Sequence, residues 1–198
     1  MYLIFDTETA GLPDSYDASH SDTDNWPRLV QLAWETFDSR GRNTGARSRV
    51  IRPDGFKIPR DAERVHGIST AIARRSGAPI ADVLEEFVGV LSESSVLVAH
   101  NIKFDAGILG AEFYRVGIKR PFRGMNHICT MKDTTDYCSL PGPYGFKWPR
   151  LEELHYKLFK KKVKDTHDAA ADAATCSKCF FELKRRGVIR IVKSKRDG

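Results

Sequence analysis

The chain has 198 residues, 41% of them apolar, and a formal net charge of +6 at pH 7. This length and apolar content suffice for one substantial core, and no stretch approaches the roughly 18 consecutive apolar residues of a membrane span. A strand that starts at residue 2 leaves no room for a signal peptide, and the four cysteines are too few for a disulfide framework, so we expect a soluble, cytoplasmic protein with reduced thiols.

The first element is the apolar run YLIF at residues 2–5, which predicts a buried strand that ends in two carboxylates. Because side chains alternate faces along a strand, Asp6 and Glu8 point the same way and repel each other unless a cation lies between them. The alternative is a turn that begins at Asp6 and leaves Glu8 in solvent. This stretch alone leaves both interpretations open.

The rest of the chain predicts a mixed α/β fold. The β-like runs RLVQLAWETFD and ARSRVIRP, separated by the turn-rich SRGRNTG, indicate an antiparallel meander. The apolar spacing over 79–91 predicts an amphipathic helix with Pro79 in its first turn. There follow a buried strand SVLVAH, a helix in NIKFDAGILGAEFYRVG, a short strand near HICT, a loop LPGPYGFKWP, and helices over about 149–159 and 166–186. This order indicates a mixed sheet covered by helices.

Asp105 follows the strand VLVAH, in the first turn of the next predicted helix. Open α/β sheets bind ligands just outside the carboxyl ends of their strands, so Asp105 and Asp6 share an edge if their strands are neighbours. A carboxylate in a first helical turn is also favoured by the macrodipole without any function.

The last predicted helix contains a carboxylate in an otherwise small and apolar segment, AADAATC. Ala169, Ala173 and Cys176 form a slim face suited to close packing on a sheet, where an unpaired Asp172 would be costly. His167 lies at the start of this helix, near the capping candidates at 165 and 166, and a lone histidine there is commonly a surface or capping residue.

Two other patterns have simpler explanations. Cys176 and Cys179 form a lone CxxC in a helical pattern, which favours core packing over a zinc site because no second CxxC completes a tetrahedral set. Basic residues cluster at 157–164 and 184–196, which indicates a polyanionic partner or a solvated basic face.

The three acidic segments together resemble a known family. DTE, then HNIKFD about 95 residues later, then HDAAAD about 60 residues further on, resemble the three motifs of the DEDDh 3′-to-5′ exonucleases. DTETAGL is similar to the extended first motif, and ERVHGIS at 63–69 is similar to a segment that approaches the terminal nucleotide. The resemblance spans residues 2 to about 183 and departs from the family at Ala10, often a threonine in proofreading subunits, and in the long loop CSLPGPYGFKWP.

The resemblance implies an RNase H-like mixed five-stranded sheet, three antiparallel strands plus parallel strands, flanked by helices. It implies one exonuclease domain over 1–186 and a basic tail over 187–198. Its catalytic set would be four carboxylates that hold two divalent cations, Mg²⁺ or Mn²⁺, and a histidine general base: Asp6, Glu8, Asp105, Asp172 and His167. The residues expected to grip the 3′-terminal nucleotide are Thr9, Leu12, His66, His100 and Phe104. Leu12 and Phe104 could equally serve core packing, whereas a core role is not expected for His66, which follows a proline-containing loop.

The implied activity is hydrolysis of single-stranded DNA or RNA from the 3′ end, DNA favoured, with release of 5′ mononucleotides. A non-catalytic nucleic-acid-binding module and a different RNase H-like nuclease are the alternatives. Four acids would repel phosphate unless metals intervened, which disfavours the binding module. Homodimerisation and association with a polymerase are both open, and no membrane association is expected.

Overall fold

The computed structural model describes residues 1–119, 122, 124–163 and 167–191. The predicted capping residues at 165 and 166 and most of the basic tail, 192–198, lie outside these ranges.

Five strands form the predicted mixed sheet, in the order β3-β2-β1-β4-β5. The strands are β1 (Tyr2–Thr9), β2 (Leu29–Phe37), β3 (Asn43–Val50), β4 (Val96–Ala99) and β5 (Asn126–Cys129). The first three are antiparallel, whereas β4 and β5 run parallel to β1. A two-stranded hairpin, β6 (Pro141–Gly142) and β7 (Gly145–Phe146), lies outside the main sheet.

The helices are α1 (Arg60–His66), α2 (Thr70–Ser76), α3 (Ile80–Glu93), α4 (Ile102–Arg115), α5 (Thr135–Cys138), α6 (Leu151–Phe159) and α7 (Ala169–Arg185). A 3₁₀ turn spans Lys132–Thr134. Among the described residues, no helix combines the length and the apolar character that crossing a bilayer requires.

Alternation along β1 divides the molecule into two layers. Leu3 and Phe5 face one core, which is formed with α3 and α4, and Ile4 faces a second core, formed with α6 and α7. Both cores are fully buried, which fixes the register of β1 because a one-residue slip would exchange its two faces. The side chains of Asp6 and Glu8 therefore lie on the α7 side of the sheet and that of Thr7 on the α4 side.

The structure differs from the sequence prediction mainly at element ends. Pro79 is the N-cap of α3 and lies just outside its first turn, and the third strand begins at Asn43, within the segment predicted as a turn. Helix α7 begins at Ala169 because the Asp168 side chain accepts hydrogen bonds from the Ala170 and Ala171 N–H groups. Helices α1 and α2 were not predicted, since seven residues are too short to show a helical period.

A buried carboxylate fixes the long loop between β1 and β2. Glu112 of α4 is 1% exposed and accepts hydrogen bonds from the Arg28 guanidinium at 2.9 Å and from the Leu29 N–H at 3.0 Å. Arg115, 3.0 Å from the same carboxylate, donates to the carbonyl oxygens of Thr23 and Trp26. The loop that leaves the acidic end of β1 is thus tied to the helix that begins beside Asp105.

Candidate active site

Three of the predicted carboxylates meet at the end of β1. One oxygen from each of Asp6, Glu8 and Asp172 lies within 4.8 Å of the other two. Asp6 and Glu8 share a face of β1, and Asp172 lies in the first turn of α7, which packs on that face. The turn interpretation of Asp6 is wrong, because β1 continues through Thr9.

Small side chains bring Asp172 close to the strand. Ala33 of β2, the register partner of Asp6, packs against Ala169 and Ala173, and all three are at most 1% exposed. Methyl groups at this contact allow the helix backbone to approach the sheet closely. The slim face predicted for α7 is confirmed, and it explains how a short aspartate can reach the β1 acids.

Asp105 reaches the site from the opposite layer. It is 2% exposed, and it lies outside the triad of Asp6, Glu8 and Asp172. Its Oδ1 accepts two hydrogen bonds from Thr7, one from the backbone N–H at 3.1 Å and one from the hydroxyl at 2.7 Å. The two layers thus present their acids around the same strand end, with Thr7 as the link between β1 and α4.

The site concentrates negative charge away from water. Burial, and then the charge of Asp105, raise the pKa of Asp6 well above its usual range. Burial, followed by the charge of Asp172, raises the pKa of Glu8 to about 8. Burial raises the pKa of Asp105 to about 7 against the opposing effect of the Thr7 hydrogen bonds. A cluster of carboxylate oxygens with no neutralising cation from the described residues of the protein is chemically suited to hard divalent cations.

His167 lies beside Asp172 on an exposed backbone segment. Its N–H donates to Asp172 Oδ2 at 3.0 Å, and this bond opposes the effect of burial, which raises the pKa of Asp172. The backbone of His167 is left-handed, with φ of 69°, a conformation that is uncommon outside glycine. Asn101, with φ of 73° at the start of α4, is a second such residue at this edge of the sheet. Left-handed non-glycine residues often occur at functional sites.

Gln31 is a site residue that the sequence analysis missed. It lies opposite Glu8 in the β1–β2 register and is 5% exposed. Its side-chain carbonyl accepts from the Ala169 N–H at 3.2 Å, and its amide donates to Asp168 at 3.3 Å. Gln31 thereby attaches the start of α7 to the sheet. A single amide in the apolar run LVQLAW was the available signal.

The predicted nucleotide-contacting residues have unequal surroundings. Thr9 is buried at the end of β1, where its hydroxyl donates to the Gly11 carbonyl at 2.6 Å. Leu12 is 74% exposed, so most of its side chain is in solvent. Phe104 is half-buried against the α4 core, and its ring lies 6.2 Å from that of Tyr16. Phe104 therefore serves core packing with part of its side chain, whereas Leu12 does not serve core packing.

His66 is buried, contrary to the expectation that it has no core role. It ends α1, where its Nδ1 accepts a hydrogen bond from the Ile68 N–H at 3.1 Å. Its Nε2 is buried and makes no hydrogen bond of normal geometry within the described residues, and the Thr9 backbone is close enough to the ring to oppose the lowering of the His66 pKa by burial. A buried ring nitrogen beside Thr9 that lacks such a partner is costly unless a ligand satisfies it.

His100 is engaged by the protein at both ring nitrogens. Nε2 lies 3.0 Å from the Pro149 carbonyl oxygen, so it carries the proton, and Nδ1 accepts from the Thr130 hydroxyl at 3.0 Å. Burial lowers the pKa of His100 to about 4, which keeps the ring neutral. In this arrangement the imidazole joins the end of β4 to the segment that precedes α6.

The cysteines and several residues of the basic clusters make contacts within the protein itself. Core packing of Cys176 and Cys179 is confirmed, because both are at most 1% exposed in the α6–α7 core. Several cations of the basic clusters have partners within the chain: Lys157 with the Cys138 carbonyl, Lys184 with the Tyr2 hydroxyl, and Arg185 and Arg186 with Glu182.

The family model described as Exonuclease (RNase T) matches residues 3–180. The chain belongs to this exonuclease family. Its motifs place it among the DEDD, DnaQ-like members, as the sequence resemblance predicted.

Two relatives show the range of proteins in which this family occurs. The chain is 28% identical to the 3′-5′ exonuclease DinG of Bacillus subtilis over 92% of its own length but only 17% of that protein. It is 28% identical to the DNA polymerase III subunit epsilon of Treponema pallidum over 92% of its length and 75% of that subunit.

Solved structures confirm the RNase H-like exonuclease fold. Exonuclease X, solved with 5′ overhanging duplex DNA, has a TM-score of 0.64 and 26% identity over 94% of this chain and 93% of that chain. E. coli Exonuclease I, solved with a dA16 oligonucleotide, has a TM-score of 0.71 over 93% of this chain and 40% of that chain. Its identity is 20%, so this second likeness concerns the fold alone.

Proposed function

We propose that the chain is a metal-dependent 3′-to-5′ exonuclease. It would hydrolyse the last phosphodiester bond of single-stranded nucleic acid, DNA in preference to RNA, and release 5′ mononucleotides. The observation that supports this most directly is the convergence of Asp6, Glu8 and Asp172 within 4.8 Å, next to the backbone of His167. The solved complex of Exonuclease X with 5′ overhanging duplex DNA supports a nucleic-acid substrate.

The carboxylates fit a pair of cations better than a structural role. Asp6, Glu8 and Asp172 would hold two divalent ions, Mg²⁺ or Mn²⁺, with Asp105 as the fourth carboxylate, and the ions would supply charge neutralisation at the phosphate and an acidified water. Thr7 holds Asp105 in place by its two hydrogen bonds, and Gln31 holds the start of α7 and therefore Asp172.

His167 would act as the general base. An imidazole ring nitrogen can accept the proton of the attacking water. The hydrogen bond from its N–H to Asp172 fixes its backbone beside the carboxylate cluster, and its exposure leaves the ring accessible to an incoming strand end.

The 3′-terminal nucleotide would contact the rim formed by Thr9, Leu12, His66 and Phe104. The buried Nε2 of His66 and the Thr9 backbone offer polar contacts to the sugar, and the exposed Leu12 offers apolar surface to the base. We assign His100 a positioning role, because both of its ring nitrogens already have partners in the protein.

End-labelled substrates test the assignment. Single-stranded DNA and RNA 12-mers labelled at the 5′ or the 3′ end, and a duplex with a 5′ overhang, are incubated with Mg²⁺, Mn²⁺ or EDTA. We expect the 3′ label to be released at once as a mononucleotide and the 5′ label to remain on a ladder shortened in single steps. EDTA should abolish both the release of the 3′ label and the shortening of the 5′-labelled strand. The Asp172→Asn variant, prepared in parallel, should be inactive.

Internal cuts, degradation from the 5′ end, or activity that is indifferent to EDTA would contradict the proposal. Metal-independent binding without cleavage would favour the non-catalytic binding module.

A further inference from the structure

The hairpin β6–β7 exposes three aromatic side chains at alternate positions. Tyr144 is fully exposed, and Phe146 and Trp148 are 54% and 58% exposed. The ladder continues past β7, because the Lys147 N–H donates to the Leu140 carbonyl at 2.9 Å. Lys147 bonds Glu153 at 2.6 Å, and alternation along the extended segment places Phe146 and Trp148 on the side opposite to Lys147, whereas Tyr144 lies in the turn that precedes β7. We call Tyr144, Phe146 and Trp148 the aromatic strip.

The hairpin is anchored at the rim of the candidate active site. The Nε2–H of His100, which follows β4 and precedes the helix of Asp105, donates to the Pro149 carbonyl directly after Trp148. The segment that follows Trp148 is therefore joined to the end of β4, next to the helix that carries Asp105.

Charged side chains lie between the aromatic strip and Phe104, one of the residues proposed to contact the terminal nucleotide. The Lys132 ammonium lies 5.3 Å from the centre of the Trp148 ring and makes no ion pair within the described residues. The hydrogen bond and charge of Lys103, and to a smaller extent the charge of Lys132, lower the pKa of the exposed Asp17 carboxyl, and Lys103 is the residue before Phe104. Lys132, Asp17 and Lys103 thus form a run of charged side chains between Trp148 and the half-buried Phe104.

We infer that the aromatic strip binds the bases of single-stranded nucleic acid upstream of the 3′-terminal nucleotide, with Lys132 contacting the backbone phosphates. This inference rests on the proposed function for the direction of the strand. Aromatic faces combined with nearby cations are how proteins bind single strands without sequence preference, because every base has a face that stacks. Three exposed aromatic residues spaced two apart match a run of successive bases better than they match an ordinary solvated loop.

Oligomer length separates upstream contacts from contacts to the terminal nucleotide. Trp148→Ala and Phe146→Ala are compared with wild type on a labelled 12-mer and a labelled trimer of thymidylate. Binding is measured by fluorescence anisotropy in EDTA, and release of the terminal nucleotide is measured in Mg²⁺. Tyr114→Ala is the matched control, since Tyr114 is 56% exposed but lies about 13 Å farther along α4 than Asp105.

We expect each strip variant to bind the 12-mer at least about fivefold more weakly and to raise its KM, while kcat on the 12-mer and both constants on the trimer stay unchanged. The control should match wild type throughout. Circular dichroism checks that the variants fold, which their exposure favours.

Unchanged affinity for the 12-mer would overturn the inference and leave the strip as a surface for a protein partner. Equal weakening on both oligomers would also overturn it, because it would place the strip at the terminal nucleotide. If wild type cleaves neither oligomer but binds the 12-mer more tightly than Trp148→Ala does, the proposed function is refuted, whereas the inference that the strip binds single strands still holds.

Discussion

Thr7 donates two hydrogen bonds to one carboxylate oxygen of Asp105, from its backbone N–H at 3.1 Å and its hydroxyl at 2.7 Å. Thr7 lies between Asp6 and Glu8 in β1, but its side chain faces the opposite layer. A single residue therefore spaces the two β1 acids and also holds the carboxylate that arrives from α4.

Removal of the Thr7 hydroxyl should impair catalysis more than folding. Thr7→Val keeps the shape and the backbone bond but deletes one of the donors to a buried carboxylate, a contact worth about 1.5–3 kcal/mol when the acceptor is charged. We expect kcat to fall about tenfold or more with little change in KM. Thr7→Ser retains the hydroxyl and should restore most of the rate. Equal kcat for Val and wild type in steady-state assays would show that Asp105 needs only the backbone bond.

Divalent-cation binding should strengthen as pH rises. The pKa of Glu8 is raised to about 8 and that of Asp105 to about 7, so protons compete with the cation between pH 6 and pH 8. If one proton is displaced per ion, the Kd for Mn²⁺ should fall by up to about tenfold per pH unit in that window. Titration calorimetry at several pH values measures this, and a Kd that does not vary with pH would contradict it.

The same shifts predict an inverted pH dependence of stability without metal. Because the folded pKa values of Glu8 and Asp105 lie above their unfolded values, the stability that they contribute is fully present below about pH 4 and is lost as pH rises through about 7 to 8. Other groups add their own dependence, so the comparison with Glu8→Gln isolates this contribution. We expect the Tm of wild type relative to Glu8→Gln to fall between pH 5 and pH 8.5, and Mg²⁺ to reverse that fall.

Asp6→Asn should abolish activity without unfolding the protein. The substitution removes a cation ligand and also removes a buried charge that Asp105, Asp172 and Glu8 all repel. We expect activity to fall at least about 100-fold, with an unchanged or higher Tm in EDTA at pH 8. Asp82→Asn, on an exposed turn of α3, is the control and should alter neither quantity. A large drop in Tm for Asp6→Asn would indicate a structural role for the acid.

His167→Asn should separate turnover from binding. Asparagine tolerates the left-handed backbone at this position, so the N–H bond to Asp172 is preserved while the proton acceptor is lost. General-base removal predicts a kcat lower by about 10²–10⁴ with a similar affinity for single strands. His155→Asn, whose ring bonds the Lys161 carbonyl, provides the control. A kcat of His167→Asn equal to that of wild type would show that another group is the general base.

Much of this protein is encoded locally. The alternation YLIFDTE places Asp6 and Glu8 on one face, the small residues of α7 permit close packing, and the order of strands and helices predicts the mixed sheet. These features follow from side-chain periodicity, which a short window of sequence contains. The spacing of the three acidic motifs pointed to the family, and the family resemblance implied the catalytic roles of Asp105, Asp172 and His167.

Only the tertiary structure decided how these groups divide between the two layers. The family resemblance implied four carboxylates around two cations; in the structure Asp6, Glu8 and Asp172 form one cluster, and Asp105 reaches the strand end from the α4 side, held by Thr7. The roles of Gln31 and His100, and the burial of His66, likewise depend on partners far away in the chain. Local periodicity specifies which face a side chain takes, but the partner it meets there is set by the packing of whole layers, and that packing also determines how far burial raises each pKa.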